Sequence, residues 1–175
     1  MIEGVTICKT TKDDVSSLEV LYKNAFPDED LVQLVKDLLY DDENTLNISA
    51  YINKTLVGHV AFTKCNVEPE NISLSLLGPI AVEPEYQSKG IGSKLIKDGF
   101  NQLKEQGFFK VLVLGYPDYY KKFGFVQEAD IKAPYIIPDH CMAAWQSVQL
   151  LGGQHSLAGT LKVPSVWQRP ELWSE

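Results

Sequence analysis

"YQSKGIG", residues 86–92, leads into an apolar series at Ile91, Leu95, Ile96, Phe100 and Leu103. That spacing predicts a helix from about Lys89 to Gln106, with Gly107 suited to a left-handed stop after the last turn. Upstream, Ile72 to Val82 reads as a strand, so the quoted stretch is a strand-to-helix turn. The first N–H groups of a helix have no partner inside it, and the aligned peptide dipoles place partial positive charge there. Gly90 and Gly92 carry no β-carbon, which lets an anion approach the main chain, and Lys89 adds a point charge. The turn reads as a cradle for a pyrophosphate, the alternative being a glycine pair used for tight packing alone.

Working outward, Val5 to Lys9 is predicted as a first strand, and Thr11 with Asp14 three residues later forms a capping box. Val15, Leu18, Leu21 and Ala25 share one helical face. Pro27 breaks that helix before a second stripe at Leu31, Leu34, Val35, Leu38 and Leu39. Ile48 to Ile52 and Leu56 to Thr63 flank Asn53-Lys54, as the strands of a hairpin would. Phe108 to Leu114, "FFKVLVL", has the continuous apolar run of a strand buried on both faces. A final strand is expected near Leu157 to Val163, while the rest of 128–175 is broken by Pro134, Pro138, Gly152 and Gly153. These elements predict an α/β (α+β) domain built on one mixed sheet, as a single domain over 1–175.

The 175 residues, 45% hydrophobic and 10% aromatic, suffice for one substantial core. With 16 basic and 23 acidic residues the formal net charge is -7, which argues against binding along a nucleic-acid backbone. No leader and no run of about 18 apolar residues is read, so a cytoplasmic protein with no membrane span is expected. Cys8, Cys65 and Cys141 are odd in number and far apart, which predicts reduced, buried thiols, no disulfide framework and no metal site. Asn47, Asn53 and Asn71 head N-x-S/T triplets, without a secretory route to use them.

Two familiar phosphate loops fail. A dinucleotide fingerprint requires a third glycine where Leu95 stands, and Ser93-Lys94 after Gly92 does not fit a P-loop. What remains is Q-x-x-G-x-G after Ile80-Ala81-Val82-Glu83-Pro84. The segment "LLGPIAVEPEYQSKGIGSKLI", residues 76–96, resembles the coenzyme A motif of the GNAT superfamily of N-acetyltransferases. Residues 112–126, "LVLGYPDYYKKFGFV", resemble the segment of that family that carries a tyrosine four residues before G-F, in a form similar to a YhbS-like bacterial branch. The resemblance covers about 1–127 and leaves 128–175 as a variable C-terminal part.

The resemblance implies a GNAT-like fold, with a mainly antiparallel sheet of six to seven strands flanked by helices and splayed between strands 4 and 5. It implies acetyl-coenzyme A as co-substrate, its pyrophosphate on the main chain of Gln87, Ser88, Lys89, Gly90, Ile91, Gly92 and adjoining Ser93. The pantetheine arm would pair with Ile80, Ala81 and Val82. Tyr120 matches the family's general-acid tyrosine, with Tyr119 as its rival. Glu83, just after the strand, is a candidate base for the amine proton, directly or through water, and a solvated charge otherwise. His59 either lines the acceptor pocket or is a hydrogen-bonded structural histidine; His140 and His155 share no spacing with the other candidates. The implied activity is transfer of acetyl to a primary amine on a small molecule or peptide, without metal. A non-catalytic acetyl-coenzyme A sensor is the alternative, and a homodimer is left open.

Overall fold

Strand β1 (Val5–Lys9) occupies the expected residues. The Thr11 N–H donates to Asp14 Oδ2 at 2.8 Å, as the capping box requires. A 3-10 turn over Lys12–Asp14 intervenes before α1 (Val15–Ala25), and α2 (Val32–Tyr40) follows. The faces predicted from spacing are the buried ones: Leu18, Leu21 and Tyr22 pack with Val35, Leu39, Leu56 and Ala81 in one apolar cluster. Next come β2 (Thr45–Ile52) and β3 (Thr55–Val67), both longer than their apolar cores implied. Asn53 and Lys54 between them have φ of 50° and 66°, the left-handed pair of a tight hairpin whose twist matches its strands. β4 (Leu74–Val82) and α3 (Ile91–Glu105) complete this half of the chain.

A computed structural model describes residues 2–68, 72–153 and 157–174, in two compact units. Asn71 and His155 lie outside the described residues. The first unit comprises Met1–Thr63 and Gly78–Gln102, and its strands follow the order β1-β2-β3-β4 with β1–β2 and β2–β3 antiparallel. Helix α3 packs there through Gly99. A β-carbon at that position would overlap the ring of Phe62, which is 1% exposed and meets Phe100 edge-on at 6.4 Å. Gly99→Ala gains helix propensity of at most about 1 kcal/mol, whereas moving a buried aromatic ring costs about 1–3 kcal/mol. The substitution is expected to destabilise the protein, read as a lower urea midpoint; an unchanged midpoint would mean that Phe62 repacks freely.

The second unit comprises Lys64–Leu77 and Leu103–Glu175. β5 (Lys110–Leu114) pairs in parallel with β4, from Leu74↔Lys110 to Leu77↔Val113. Val111, Leu112 and Val113 are buried, as the run predicted. A short helix α4 (Pro117–Tyr120) follows, then β6 (Val126–Gln127), β7 (Ile131–Lys132), β8 (Trp145–Gln149) and β9 (Gly159–Lys162). β8 lies antiparallel between β5 and β6, while β9 pairs with the end of β3 and with β7. The pairings are thus mixed and mainly antiparallel. Trp173 meets both Trp145 and Trp167 edge-on, with ring centroids 5.8 Å apart in each pair. These rings give the unpatterned C-terminal residues a core of their own. Among the described residues, no helix is long and apolar enough to cross a membrane.

Candidate active site

Downstream of β4 the chain makes a 3-10 turn over Pro84–Tyr86, extends at Gln87 and enters α3 through two left-handed residues. Ser88 has φ of 62° and Gly90 has φ of 90°. The left-handed Gly90 delays the helix to Ile91, two residues later than the apolar spacing implied. The first helical bond runs from Lys94 N–H to the Gly90 carbonyl at 3.1 Å, so the amides of Ile91, Gly92 and Ser93 precede the i→i−4 ladder. Gln87 Nε2 donates to the Val82 carbonyl at 3.0 Å and ties the loop back to the strand. Gln87, Ser88, Lys89 and Gly90 are exposed, Gly92 and Ser93 half-buried, and the Ile91 side chain is buried. The turn therefore presents main chain at the helix entrance and anchors it from behind. The Lys89 ammonium stands 6.0 Å from the Tyr86 ring centroid, in the exposed part of the loop.

On β4, Ala81 is buried and Ile80 and Val82 half-buried. The register with β5 ends at Leu77↔Val113, whereas β4 continues to Val82. The Glu83 N–H donates to the Val57 carbonyl at 2.9 Å and fixes the backbone where the carboxylate projects. Both oxygens of that carboxylate accept from Asn24 Nδ2, each at 3.2 Å.

His59 is fully buried, and burial pushes its pKa down to about 3, so the ring is neutral. Asn47 Nδ2 donates to the Leu38 carbonyl at 3.2 Å, which turns its Oδ1 toward His59 Nε2 at 2.9 Å. Nε2 must then carry the proton, and Nδ1 accepts the Tyr22 hydroxyl at 2.7 Å. Both ring nitrogens are occupied, so of the two readings of His59 the structural one holds.

In the second unit α4 carries Tyr119 and Tyr120 as neighbours, their rings 4.9 Å apart and nearly perpendicular. Tyr120 is 8% exposed, stacks edge-on against Phe125 at 5.5 Å and lies so close to Gly115 that a β-carbon there would overlap its ring. Burial, then the neighbouring Tyr119, raises the Tyr120 pKa well above its ordinary value. Tyr119 is half-buried, beneath Lys122 at 4.4 Å, and burial raises its pKa also. Glu128 is a residue that spacing did not single out, a 6% exposed carboxylate bonded to four groups. Of the three cysteines only Cys65 is buried, which corrects the expectation for Cys8 and Cys141; burial pushes the Cys65 thiol up to about 12 and disfavours a thiolate. Among the described residues no group of three or more His, Cys, Asp or Glu could hold a metal ion.

Residues 13–125 match the acetyltransferase (GNAT) family. The chain belongs to that family of acyltransferases. It is 34% identical over 160 residues to the uncharacterized N-acetyltransferase YjhQ of Escherichia coli, covering 87% of this chain and 88% of that one. It is also 31% identical over 113 residues to the uncharacterized N-acetyltransferase YhbS of the same organism, 64% of this chain and 68% of the relative. A crystal structure of YhbS in complex with CoA superposes with a TM-score of 0.84 at 24% identity, covering 97% of this chain and 94% of that one. A GNAT family acetyltransferase from Brucella melitensis in complex with acetyl-CoA gives 0.75 at 24% identity, over 94% and 98% of the two chains. Those superpositions establish the GNAT fold, and the sequence relatives place the chain among enzymes of the family.

Proposed function

We propose that this chain transfers the acetyl group of acetyl-coenzyme A directly to a primary amine, without a covalent acyl-enzyme. The observation that carries this reading is the turn at Ser88–Gly90, which presents the unladdered amides of Ile91, Gly92 and Ser93 at an exposed helix entrance. Relatives with bound CoA or acetyl-CoA support it. The chain fits such a group: nothing lies within 4 Å of where a Gly90 β-carbon would stand, so that approach to the main chain is open. Gln87 to Ser93 would hold the pyrophosphate, and the main chain of Ile80 to Val82 would pair with the pantetheine arm. The thioester supplies an activated acetyl group. Tyr120, protonated at neutral pH like any tyrosine and with its pKa raised further by burial, donates the proton that the departing thiolate needs. Glu83, held by Asn24, accepts the amine proton directly or through a water.

The test is thiol release from acetyl-coenzyme A across small amines, amino acids and peptides, with a thermal-shift titration of coenzyme A alongside. Release that depends on one acceptor class supports transfer; binding with no release from any acceptor favours a non-catalytic module or a protein-sized acceptor. A β-branched residue is strained at the φ of 90° found at Gly90. Gly90→Val is therefore expected to weaken coenzyme A binding by about tenfold or more while the fold persists. Unchanged affinity would remove this turn from the cofactor site.

A further inference from the structure

Helix α4 is one turn, Pro117–Tyr120, too short to hold its own position. The N–H groups of Tyr119 and Tyr120 both donate to the Tyr116 carbonyl at 3.1 Å, so the turn hangs on the point where the chain leaves β5. That point is Gly115. The β5–β8 ladder ends at Leu114↔Trp145, and one residue further the Gly115 N–H donates to the Ala144 carbonyl at 2.9 Å. The Gly115 carbonyl is taken by a side chain: Gln146 Nε2 donates to it at 3.0 Å and to the Ala144 carbonyl at 3.3 Å.

Gln146 is 2% exposed, on a strand held between β5 and β6. An apolar residue would fill this position with less desolvation, but it would leave the Gly115 carbonyl unpaired. A further rung of the backbone ladder would pair that carbonyl, but only with the chain still extended opposite Ala144. The long amide pairs it and lets the chain turn into α4. The Tyr120 ring packs on this same residue. A β-carbon at Gly115 would overlap Tyr120 Cε2 and stand 3.4 Å from Cζ, the carbon that bears the hydroxyl. Tyr119 and Phe125 meet the ring at 4.9 and 5.5 Å, but as side chains that can change rotamer. Gly115 meets it with main chain. The Gly115 backbone therefore sets where the Tyr120 hydroxyl stands, and Gln146 sets the Gly115 backbone.

We propose that Gln146 is a positioning residue for acetyl transfer: by fixing the Gly115 carbonyl it holds Tyr120 Oη where the departing thiolate can take its proton. The inference rests on the reading of Tyr120 as the acid. In this role Gln146 needs no contact of its own with substrate or cofactor.

The experiment is a double-mutant cycle on the full chain, read as thiol release from acetyl-coenzyme A with whichever small amine, amino acid or peptide reacts fastest. Gln146→Met keeps the length of the side chain and removes the donor. It is expected to lower kcat by about tenfold to a hundredfold, the scale of a displacement of roughly 1 Å at a reacting group, with KM for acetyl-coenzyme A little changed. In the Tyr120→Phe protein the same substitution should lower kcat by less than about twofold, because no hydroxyl remains to be misplaced. Damage to the fold alone would lower both backgrounds alike. A second readout needs no acceptor: fluorine NMR of fluorotyrosine-labelled protein, in which the Tyr120 signal is the one that Tyr120→Phe removes. Gln146→Met should shift or broaden that signal and leave those of Tyr22 and Tyr51, in the first unit, in place. Gln146→Asn, which draws the amide back by one methylene, should act in the same way and takes its place should Gln146→Met not fold. The positioning role is overturned if the substitution leaves turnover and the Tyr120 signal as in the parent, or if it slows both backgrounds equally. Should no amine react, an unmoved Tyr120 signal alone overturns it. Unchanged turnover in Tyr120→Phe itself overturns the acid reading instead, and the positioning role with it.

Discussion

Tyr120→Phe is expected to lower turnover by about 10²–10⁴-fold, the usual range for losing one positioned proton donor, with little change in acetyl-coenzyme A affinity. The ring contacts survive the substitution, because Gly115 and Phe125 touch the aromatic body of Tyr120. Only the proton is lost. Tyr119→Phe is the matched control: it removes a hydroxyl from the adjacent, half-buried ring and should leave the rate within a few-fold of the parent. The pH profile adds an independent reading. A general acid must be protonated to act, and burial raises the Tyr120 pKa, so the alkaline fall in rate due to this residue should lie above the ordinary tyrosine value of about 10. Steady-state thiol release from pH 6 to 10 checks both points. Equal turnover in Tyr120→Phe, or a larger loss in Tyr119→Phe, would move the acid role elsewhere.

The parts of this architecture that were legible in the sequence are those where a local pattern and the tertiary packing agree. The α1 and α2 stripes, the Asn53-Lys54 hairpin and the FFKVLVL strand each satisfy their own backbone rules and also face the core. The start of α3 was misplaced because side-chain periodicity says nothing of φ. Lys89 fits the helical spacing, but the left-handed Gly90 holds the helix off until Ile91. β8 escaped notice for a different reason. Its five residues, WQSVQ, place Gln146 and Ser147 in buried positions, where their partners come from distant segments. Gln146 Nε2 donates to the Gly115 carbonyl at 3.0 Å, and Ser147 Oγ to Glu128 at 2.6 Å. A buried polar strand of this kind reads as a loop until its partners are known. The strand-to-helix turn ahead of α3 falls within one contiguous motif, Q-x-x-G-x-G, and its place was legible, whereas Asn24 beside Glu83 comes from a helix 59 positions away and carries no local signal.

Glu128→Ala is expected to destabilise the protein by about 3–5 kcal/mol, the range for removing one partner of a buried ion pair. The carboxylate gathers four donors that otherwise lack a common acceptor. Lys110 Nζ stands at 3.2 Å and Ser147 Oγ at 2.6 Å on one oxygen, and the N–H groups of Asp130 and Ile131 reach the other at 2.8 and 2.9 Å. It thereby fastens the turn between β6 and β7 to β5 and β8, next to Trp145, whose indole N–H donates to the Ile131 carbonyl at 2.8 Å. Burial alone would raise the Glu128 pKa. The bonds from Ser147, Ile131 and Asp130, with the Lys110 charge, outweigh it and leave the pKa lowered. A lowered folded pKa means that the stabilisation is fully present above the unfolded carboxylate value of about 4.3 and is lost as pH falls through the folded one. Urea melts of the parent and of Glu128→Gln should therefore differ most at pH 7 and converge under acid conditions, because the neutral amide mimics a protonated carboxyl. Glu128→Gln should also be more stable than Glu128→Ala, since its carbonyl oxygen still accepts the two backbone N–H groups. A stability difference that does not vary between pH 7 and pH 3 would show that Glu128 acts through its shape and not its charge.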